Sequence, residues 1–534
     1  MAEKTSDRHI SRCPVAHGRP AQADSGNLVP ILTKPVSRRT MLRRTGGAFA
    51  GAMAALGTLG LVESLGWVPE RMAWADPGTL AFPDVQFDLA PFMPPAQTID
   101  GVAVAMPPIQ TVFVTARLAR APSKADQVRM EAALRNIETN YPYSPGGVMT
   151  HVSYSDNYFN RLPAAVVTAN MPLTVAFNGL PAGQRVLKRS VPGPTDVAAG
   201  NRTLELRRAE FTVPVVMESN DILFTIRSDD SSRIADVVQW LGGSNRMLGR
   251  AQPSPAFDAG MTITSTRAMF VQMGLPRNIA ATQGLVFADF VNPFSPMWMG
   301  FADQQVNASA PAQNVTFVGG GGIKLTNAAA GSYFDNGSIQ HLSHVLLDLR
   351  QFYVDGTPPE NPGDDVREPF EERLQYMFEA PPQVQQAADD PFRDGGGPRN
   401  LGRRGAFLPN VFRGATYAQQ SAQQFARIGH ISALHRSGRP AGGAPIHLRI
   451  DGPGFDAMDT TPGRNTPKLQ FSGFFPSADF FSTLRRNQGS LDLLDQFDLE
   501  EEDHGLERFI TATRRQNYLI PPRRHRAFPL IELT

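Results

Sequence analysis

The chain has 534 residues and carries 51 basic against 50 acidic side chains, which gives a formal net charge of +1. This balance excludes a general attraction to nucleic acid or to anionic lipid. Its single cysteine, Cys13, excludes an internal disulfide and a cysteine-ligated cluster, so any metal is expected on other side chains.

An export signal is predicted near the start of the chain. Residues 37–43 read SRRTMLR, an apolar run rich in Gly and Ala covers 46–62, and AWA at 73–75 offers a small-x-small cleavage site. This order is typical of a twin-arginine signal. We therefore expect recognition by the twin-arginine export machinery and a periplasmic or extracellular location. The apolar run is about as long as the shortest spanning helices, so a retained membrane anchor is the alternative.

Residues 1–75 are thus predicted to be a disordered leader plus signal peptide. Their removal leaves 459 residues with 41 basic and 45 acidic side chains, a net charge of −4. No nucleic-acid partner is expected for such a chain.

The first half of the remaining chain alternates β-rich runs with runs of helical apolar spacing. In chain order the sequence predicts a strand over 111–118, a helix from Ser123 to about Asn140, strands over 148–154 and 221–226, a helix capped by Ser231 or Ser232, and a strand over 261–270. In the first helix, the apolar positions with helical spacing are Val128, Ala132, Ala133 and Ile137. The order β-α-β-β-α-β is typical of a ferredoxin-like fold.

The second half repeats this order with larger insertions. The patterns predict strands over 339–349, 469–475 and 509–514, and helices over 369–378 and 478–486. We therefore predict an α+β protein of two ferredoxin-like lobes, 76–275 and 276–534, with antiparallel sheets and peripheral helices. The sheet faces without helices are expected to meet around a deep cavity.

Three short segments carry candidate chemistry. Residues 299–304 read MGFADQ, residues 428–431 read IGHI, and residues 446–451 read IHLRID. Together they resemble the dye-decolourising peroxidase family, with its Gly-Phe-x-Asp-Gly signature, its proximal histidine segment and its distal Leu-Arg segment. The gap of 19 residues between His430 and Arg449 is of the size expected there. Weaker echoes lie at 153–159, 221–226, 473–475 and 514–522.

The resemblance implies a haem b cofactor in a pocket mainly within the C-terminal lobe. His430 would ligate the iron, Asp303 would move a proton between the oxygens of hydrogen peroxide, and Arg449 would stabilise the negative charge that develops. Arg436 would approach a haem propionate. The implied substrates are hydrogen peroxide and small aromatic reductants such as phenols or dyes, with turnover favoured in acid.

The chain departs from the family pattern at two places. Gln304 replaces the final Gly of the signature, and the Arg and Asn-Pro-Arg expected after His430 are absent. His435 is an alternative ligand. Two other functions therefore stay open: a catalytically weak or inactive haem-binding or structural relative, and a cofactor-free exported binding protein. The oligomeric state and the physiological reductant are also open.

Two further histidines and a basic cluster have structural interpretations. His341 and His344 lie in a predicted strand, where positions i and i+3 face opposite sides, so they are not expected to form a metal pair. Residues 523–526 read RRHR and are expected to be a solvated surface or a contact to an acidic neighbour.

Overall fold

A large, mainly antiparallel sheet lies at the centre of the fold seen in a computed structural model of the chain. The structure describes residues 82–95, 97–99, 102–104, 107–177, 179–197, 213–243, 247, 260–272, 274–285, 288, 291, 295–300, 311–322, 324–355, 419, 422–423, 426, 428–429, 447–460, 465–499 and 505–534. These all belong to one compact unit, Gly47–Thr534. None of the helices they form is both long and apolar enough to cross a membrane.

Strands β1 and β2 form a small hairpin, and the longer strands belong to one large sheet. The strands are β1 (Gln97–Ile99), β2 (Val102–Val104), β3 (Gln110–Leu118), β4 (Met149–Ser155), β5 (Val216–Met217), β6 (Ile222–Ser228), β7 (Met261–Phe270), β8 (Ser338–Leu347), β9 (Leu448–Asp456), β10 (Thr466–Phe475) and β11 (Ile510–Ile520).

The described helices follow or connect these strands. They are α1 (Lys124–Asn140), α2 (Asp156–Phe159), α3 (Ala164–Asn170), α4 (Ser231–Leu241), α5 (Leu275–Thr282), α6 (Ala478–Gly489) and α7 (Leu491–Phe497). The helix predicted over 369–378 lies outside the described residues.

Helix α1 begins as predicted, at a capping box. The Ser123 side chain accepts from the Asp126 backbone, and the Asp126 carboxylate accepts from the Ser123 backbone. The predicted apolar stripe was partly wrong, because Val128 is 70% exposed and the buried face is formed by Met130, Ala133, Leu134 and Ile137. Helix α4 was also assigned the wrong cap: Asp230, not Ser231 or Ser232, accepts from the Ser232 backbone.

The large sheet contains the same strand order twice. Its path is β7-β3-β6-β4 followed by β11-β8-β10-β9, with β5 paired to β11. In each group of four the order is fourth, first, third and second strand, with antiparallel neighbours. This order and the α+β composition confirm the ferredoxin-like fold class. The domain boundaries near residue 275 stay a prediction.

The two groups join edge to edge in one continuous sheet. The sequence patterns predicted two separate sheets that face each other. Strand β4 pairs with β11 through Ser155 and Tyr154 opposite Tyr518 and Leu519. The far ends of the sheet, β7 and β9, also come into contact. A side chain at Gly454 of β9 would lie only 2.6 Å from the Ala268 carbonyl oxygen of β7, so glycine permits this approach.

The sheet therefore has an inner and an outer face. Helices α1 and α4 cover the outer face of the first group, and α6 covers that of the second. Side chains of both groups meet on the inner face in a small apolar cluster: Phe113, Leu223, Met269, Leu342 and Tyr518. Buried Gln340 also links the groups, because it donates to Thr225 and accepts from Ser153 at 3.1 and 2.8 Å. The inner faces meet as predicted, but these side chains pack against one another there.

Two segments outside the large sheet, one before β3 and one after β11, contact the residues where the two strand groups meet. The Gln86 amide donates to the Pro521 carbonyl at 2.7 Å, and it both donates to and accepts from the Val152 backbone at 3.3 and 3.1 Å. After β11, the basic cluster at 523–526 contacts acidic neighbours, which confirms one of its two interpretations. Arg526 pairs with Glu131 and Glu138, both on α1.

Candidate functional site

Of the site residues predicted from the sequence, the structure describes Arg449. Asp303, His430 and Arg436 lie outside the described residues, as does the alternative ligand His435. Their roles stay predictions. The following description therefore starts from Arg449 and from the described residues nearest in sequence to His430.

Arg449 lies on β9 and is half-buried on the outer face of the sheet. In the register of the sheet, Arg449 lies opposite Gly473 of β10. The same row continues with His341 of β8 and then Asn517 of β11. Residues opposite one another in antiparallel strands project from the same face. Arg449 therefore shares its face with His341, with a residue lacking a side chain between them.

Aromatic rings line this face. The Phe475 ring lies over Gly473, since a Cβ there would come within 2.7 Å of it. Phe475 packs edge-on to Phe481 of α6 at 5.9 Å, and buried His447 lies 6.3 Å from Phe475 between ring centroids. Arg449 therefore projects from the same face of the sheet as Phe475, which forms a wall of phenylalanine rings with Phe481. Arg515 is a second cation at this wall, 5.3 Å from the centre of the Phe481 ring.

His341 is a neutral imidazole in this row, and both of its ring nitrogens form hydrogen bonds. Burial lowers its pKa well below the ordinary value, and its ring stacks on Phe481 at 3.4 Å. Its Nδ1 is 2.6 Å from the Asn517 Oδ1, which can only accept, so Nδ1 donates and Nε2 accepts from the Ser343 hydroxyl at 2.6 Å. The Ser343 oxygen in turn accepts from Arg515 at 2.7 Å.

A buried ion pair with Asp196 holds Arg515, the residue that donates to Ser343, in place. Arg515 donates to both oxygens of Asp196 at 2.6 Å. Burial acts to raise the pKa of Asp196, but the Arg515 guanidinium outweighs it and lowers the pKa to about 2. The donor direction is therefore set from Arg515 through Ser343 and His341 to Asn517.

A second buried polar cluster lies on the inner face around His344. Its Nδ1 is 2.8 Å from the Thr513 hydroxyl, and its Nε2 is 3.4 Å from the Asp456 carboxylate. Lys468 lies beside Asp456 at 3.8 Å, and burial lowers the pKa of Lys468 to about 8. The sequence analysis missed this cluster. His341 and His344 face opposite sides of β8, as predicted, and no group of three metal-ligating side chains occurs among the described residues.

The described residues can be compared with what a bound haem requires. A histidine-ligated haem needs a free imidazole nitrogen for iron, and a pocket of the kind that the resemblance implies also has apolar walls and a nearby cation. The rings of Phe475 and Phe481 and the Arg449 side chain supply the last two. His341 and His344 use both ring nitrogens within the protein, so neither is available to iron in this arrangement. The described residues therefore provide the apolar wall and the cation that such a haem pocket needs. The iron ligand would have to be a residue other than His341 or His344.

The backbone just before His430 is well anchored. Ile428 is 1% exposed and packs in a cluster with Leu493 and Leu494 of α7, together with Ala422 and Leu499. Gly429 is also buried. Ile428, two residues before His430 in the sequence, is therefore held next to α7.

Comparison with known proteins places the chain in a family. Residues 108–177 and 204–522 match the model of a family of unknown function, DUF7405. The chain belongs to this family. No curated protein matches it.

Among solved structures, the present chain is similar to dye-decolourising peroxidases, as the sequence resemblance predicted. A variant of DypB from Rhodococcus jostii RHA1 in complex with heme has 11% identity and a TM-score of 0.40, covering 78% of this chain and 94% of that one. A dye-decolorizing peroxidase from Bacteroides thetaiotaomicron has 11% identity and a TM-score of 0.40, covering 80% and 96%. The dye-decolorizing protein from V. cholerae has 11% identity and a TM-score of 0.36, covering 80% and 95%. At this level the likeness concerns the fold and says nothing about the chemistry.

Proposed function

We propose that this DUF7405 protein is a haem-dependent peroxidase, which reduces hydrogen peroxide while oxidising phenolic or dye-like donors. The observation that carries the proposal is the position of Arg449 on β9, on the same outer face of the second strand group as the wall of phenylalanine rings. The order of the Asp303, His430 and Arg449 segments in the sequence supports it.

The chain's own residues have distinct parts in this proposal. His430 would hold the iron and Arg436 a propionate; when bound, the haem supplies the redox-active iron at which peroxide is reduced. Asp303 would take a proton from the inner oxygen of peroxide and deliver it to the outer oxygen. Arg449 would stabilise the negative charge that grows on the departing oxygen, because its guanidinium carries a fixed positive charge. The wall of phenylalanine rings would exclude water from that side.

The first experiment compares absorption spectra of proteins expressed with added haem precursor. We expect a Soret band near ~400 nm in the wild type and in His435→Ala, and its loss in His430→Ala. A band that survives His430→Ala but not His435→Ala would move the ligand. A wild type without any Soret band would refute the proposal and leave a cofactor-free binding protein.

The second experiment measures peroxide turnover of haem-loaded protein. Arg449→Leu should keep the Soret band and lower kcat/KM by about 10²–10³, the usual effect of removing one charge-stabilising donor. Arg117→Leu, which removes an exposed arginine of β3, is the matched control and should leave turnover unchanged. Equal turnover in both variants would contradict the role of Arg449.

We also propose export by the twin-arginine route to the periplasm or beyond. The proposal rests on the order of residues 37–75 in the sequence. Cell fractionation tests it: replacing Arg38 and Arg39 with lysine should retain the protein in the cytoplasm. Unchanged export of that double variant would contradict a twin-arginine signal.

A further inference from the structure

Gly505 touches the backbone that leads into His430. Its φ of +50° lies in the left-handed region, and a Cβ added there would lie 2.7 Å from the Ile428 carbonyl oxygen. Ordinary van der Waals contact of a Cβ begins at 3.4 Å. A methyl group at residue 505 would therefore require a shift of about 0.7 Å, the difference between these two distances.

Neither side of this contact is free to move away. Ile428 is packed on α7, as described above. On the other side, Glu507 is 2% exposed and accepts from Arg485 of α6 at 3.1 and 2.8 Å, and from the Thr195 hydroxyl. Arg485 and Glu507 thus tie the turn at Gly505 to α6, so added volume at residue 505 acts on Ile428.

We infer that Gly505 is a positioning residue for the backbone at Ile428: the bare backbone at 505 holds the Ile428 carbonyl in place, two residues before His430 in the sequence. The contact itself stands on the described geometry, whereas its effect on an iron ligand rests on the proposed function. A functional side chain has to be held within about 0.5 Å of its productive place, so a shift of about 0.7 Å is large enough to matter.

The test uses two glycine-to-alanine variants with matched backbone strain. Gly284 has a φ of +66° and no atom within 4 Å of an added Cβ, so Gly284→Ala introduces the same left-handed alanine without a collision. Hydrogen–deuterium exchange of peptides covering residues 422–430 is compared in wild type, Gly505→Ala and Gly284→Ala. Exchange there should rise on the order of tenfold in Gly505→Ala alone, as expected when a local packing contact is lost.

A second variant keeps the test decisive if Gly505→Ala does not fold. Ile428→Val removes one methyl group from the packing of Ile428 on α7, which holds the Ile428 carbonyl against Gly505, and it should raise exchange of the same peptides several-fold while leaving α1 peptides unchanged. Unchanged exchange at 422–430 in both Gly505→Ala and Ile428→Val would overturn the inference.

Spectra of the same variants separate this inference from the proposed function. If the wild type shows a Soret band, Gly505→Ala should lose or shift it while Gly284→Ala keeps it. Faster exchange with an unchanged Soret band would overturn the positioning role. If the wild type shows no band, the proposed function fails, and the exchange data alone decide whether Gly505 fixes the segment.

Discussion

Acid should destabilise this protein through His151. This histidine lies on β4, is 2% exposed and packs edge-on to Phe474 at 5.6 Å. Its Nε2 has no hydrogen-bond partner among the described residues. Burial, helped by the charges of Arg227 and Arg523, lowers its pKa to about 3 from the ordinary 6.5.

The sign and size follow from linkage between protonation and folding. The unfolded chain binds a proton at His151 below pH 6.5, but the folded protein does not until about pH 3, so stability falls as the pH falls between these values. At pH 5 nearly all unfolded molecules are protonated at this site. The corresponding loss in the free energy of unfolding, relative to pH 7.5, is about 2 kcal/mol.

Urea unfolding of wild type and His151→Leu at pH 7.5 and pH 5 measures this loss. At pH 7.5 the imidazole is neutral in both states, so that pH reports only the packing effect of the substitution and serves as the control. Between the two pH values, the variant should lose about 2 kcal/mol less than the wild type. Equal losses in the two proteins would refute the reasoning.

Three further predictions concern stability in urea unfolding. Because the pKa of Lys468 is lowered to about 8, its charge destabilises the fold below that pH, so wild-type stability should rise by about 1.5 kcal/mol from pH 8 to 9.5 and that of Lys468→Met should not. Gln86→Leu leaves the Val152 backbone unpaired and should lower the free energy of unfolding by about 3 kcal/mol; a loss near zero would mean that water replaces the amide. Arg526→Ala leaves Glu138 buried without this partner and should lower the free energy of unfolding by about 3 kcal/mol. Arg526→Lys should restore only part of this free energy, because lysine cannot form the bidentate pair.

Local sequence patterns predicted most of the elements of the fold. Strand β7 was predicted with its observed bounds, and α1 with its cap, because a run of β-formers and a Ser-x-x-Asp cap are local signals. Strand β9 was not predicted as a strand. It contains Gly452, Pro453 and Gly454, which usually interrupt strands. Its edge position tolerates the proline, and its approach to β7 requires small residues, so long-range packing overrides the local signal.

The candidate site was predictable only where a motif marks it. The Leu-Arg segment led to Arg449, which lies on the same face of the sheet as the wall of phenylalanine rings. The cluster of His344, Asp456 and Lys468 gave no signal because its members come from three different strands, and His344 lies more than 100 residues before the other two. Only the register of the folded sheet brings them together. The predicted roles of Asp303 and His430 await the spectra.

The late position of β11 in the chain has a consequence for synthesis. Leu519, Phe528, Leu530 and Ile531 pack in the same hydrophobic core as α1 and β4. The first strand group ends at Phe270, so its core stays incomplete until about 260 more residues have been made. At 5–20 residues per second this interval lasts roughly 10–50 s. During that time Tyr154 and Ser155 of β4 lack their β11 partners, so we expect the nascent chain to expose this part of its core until β11 has been made.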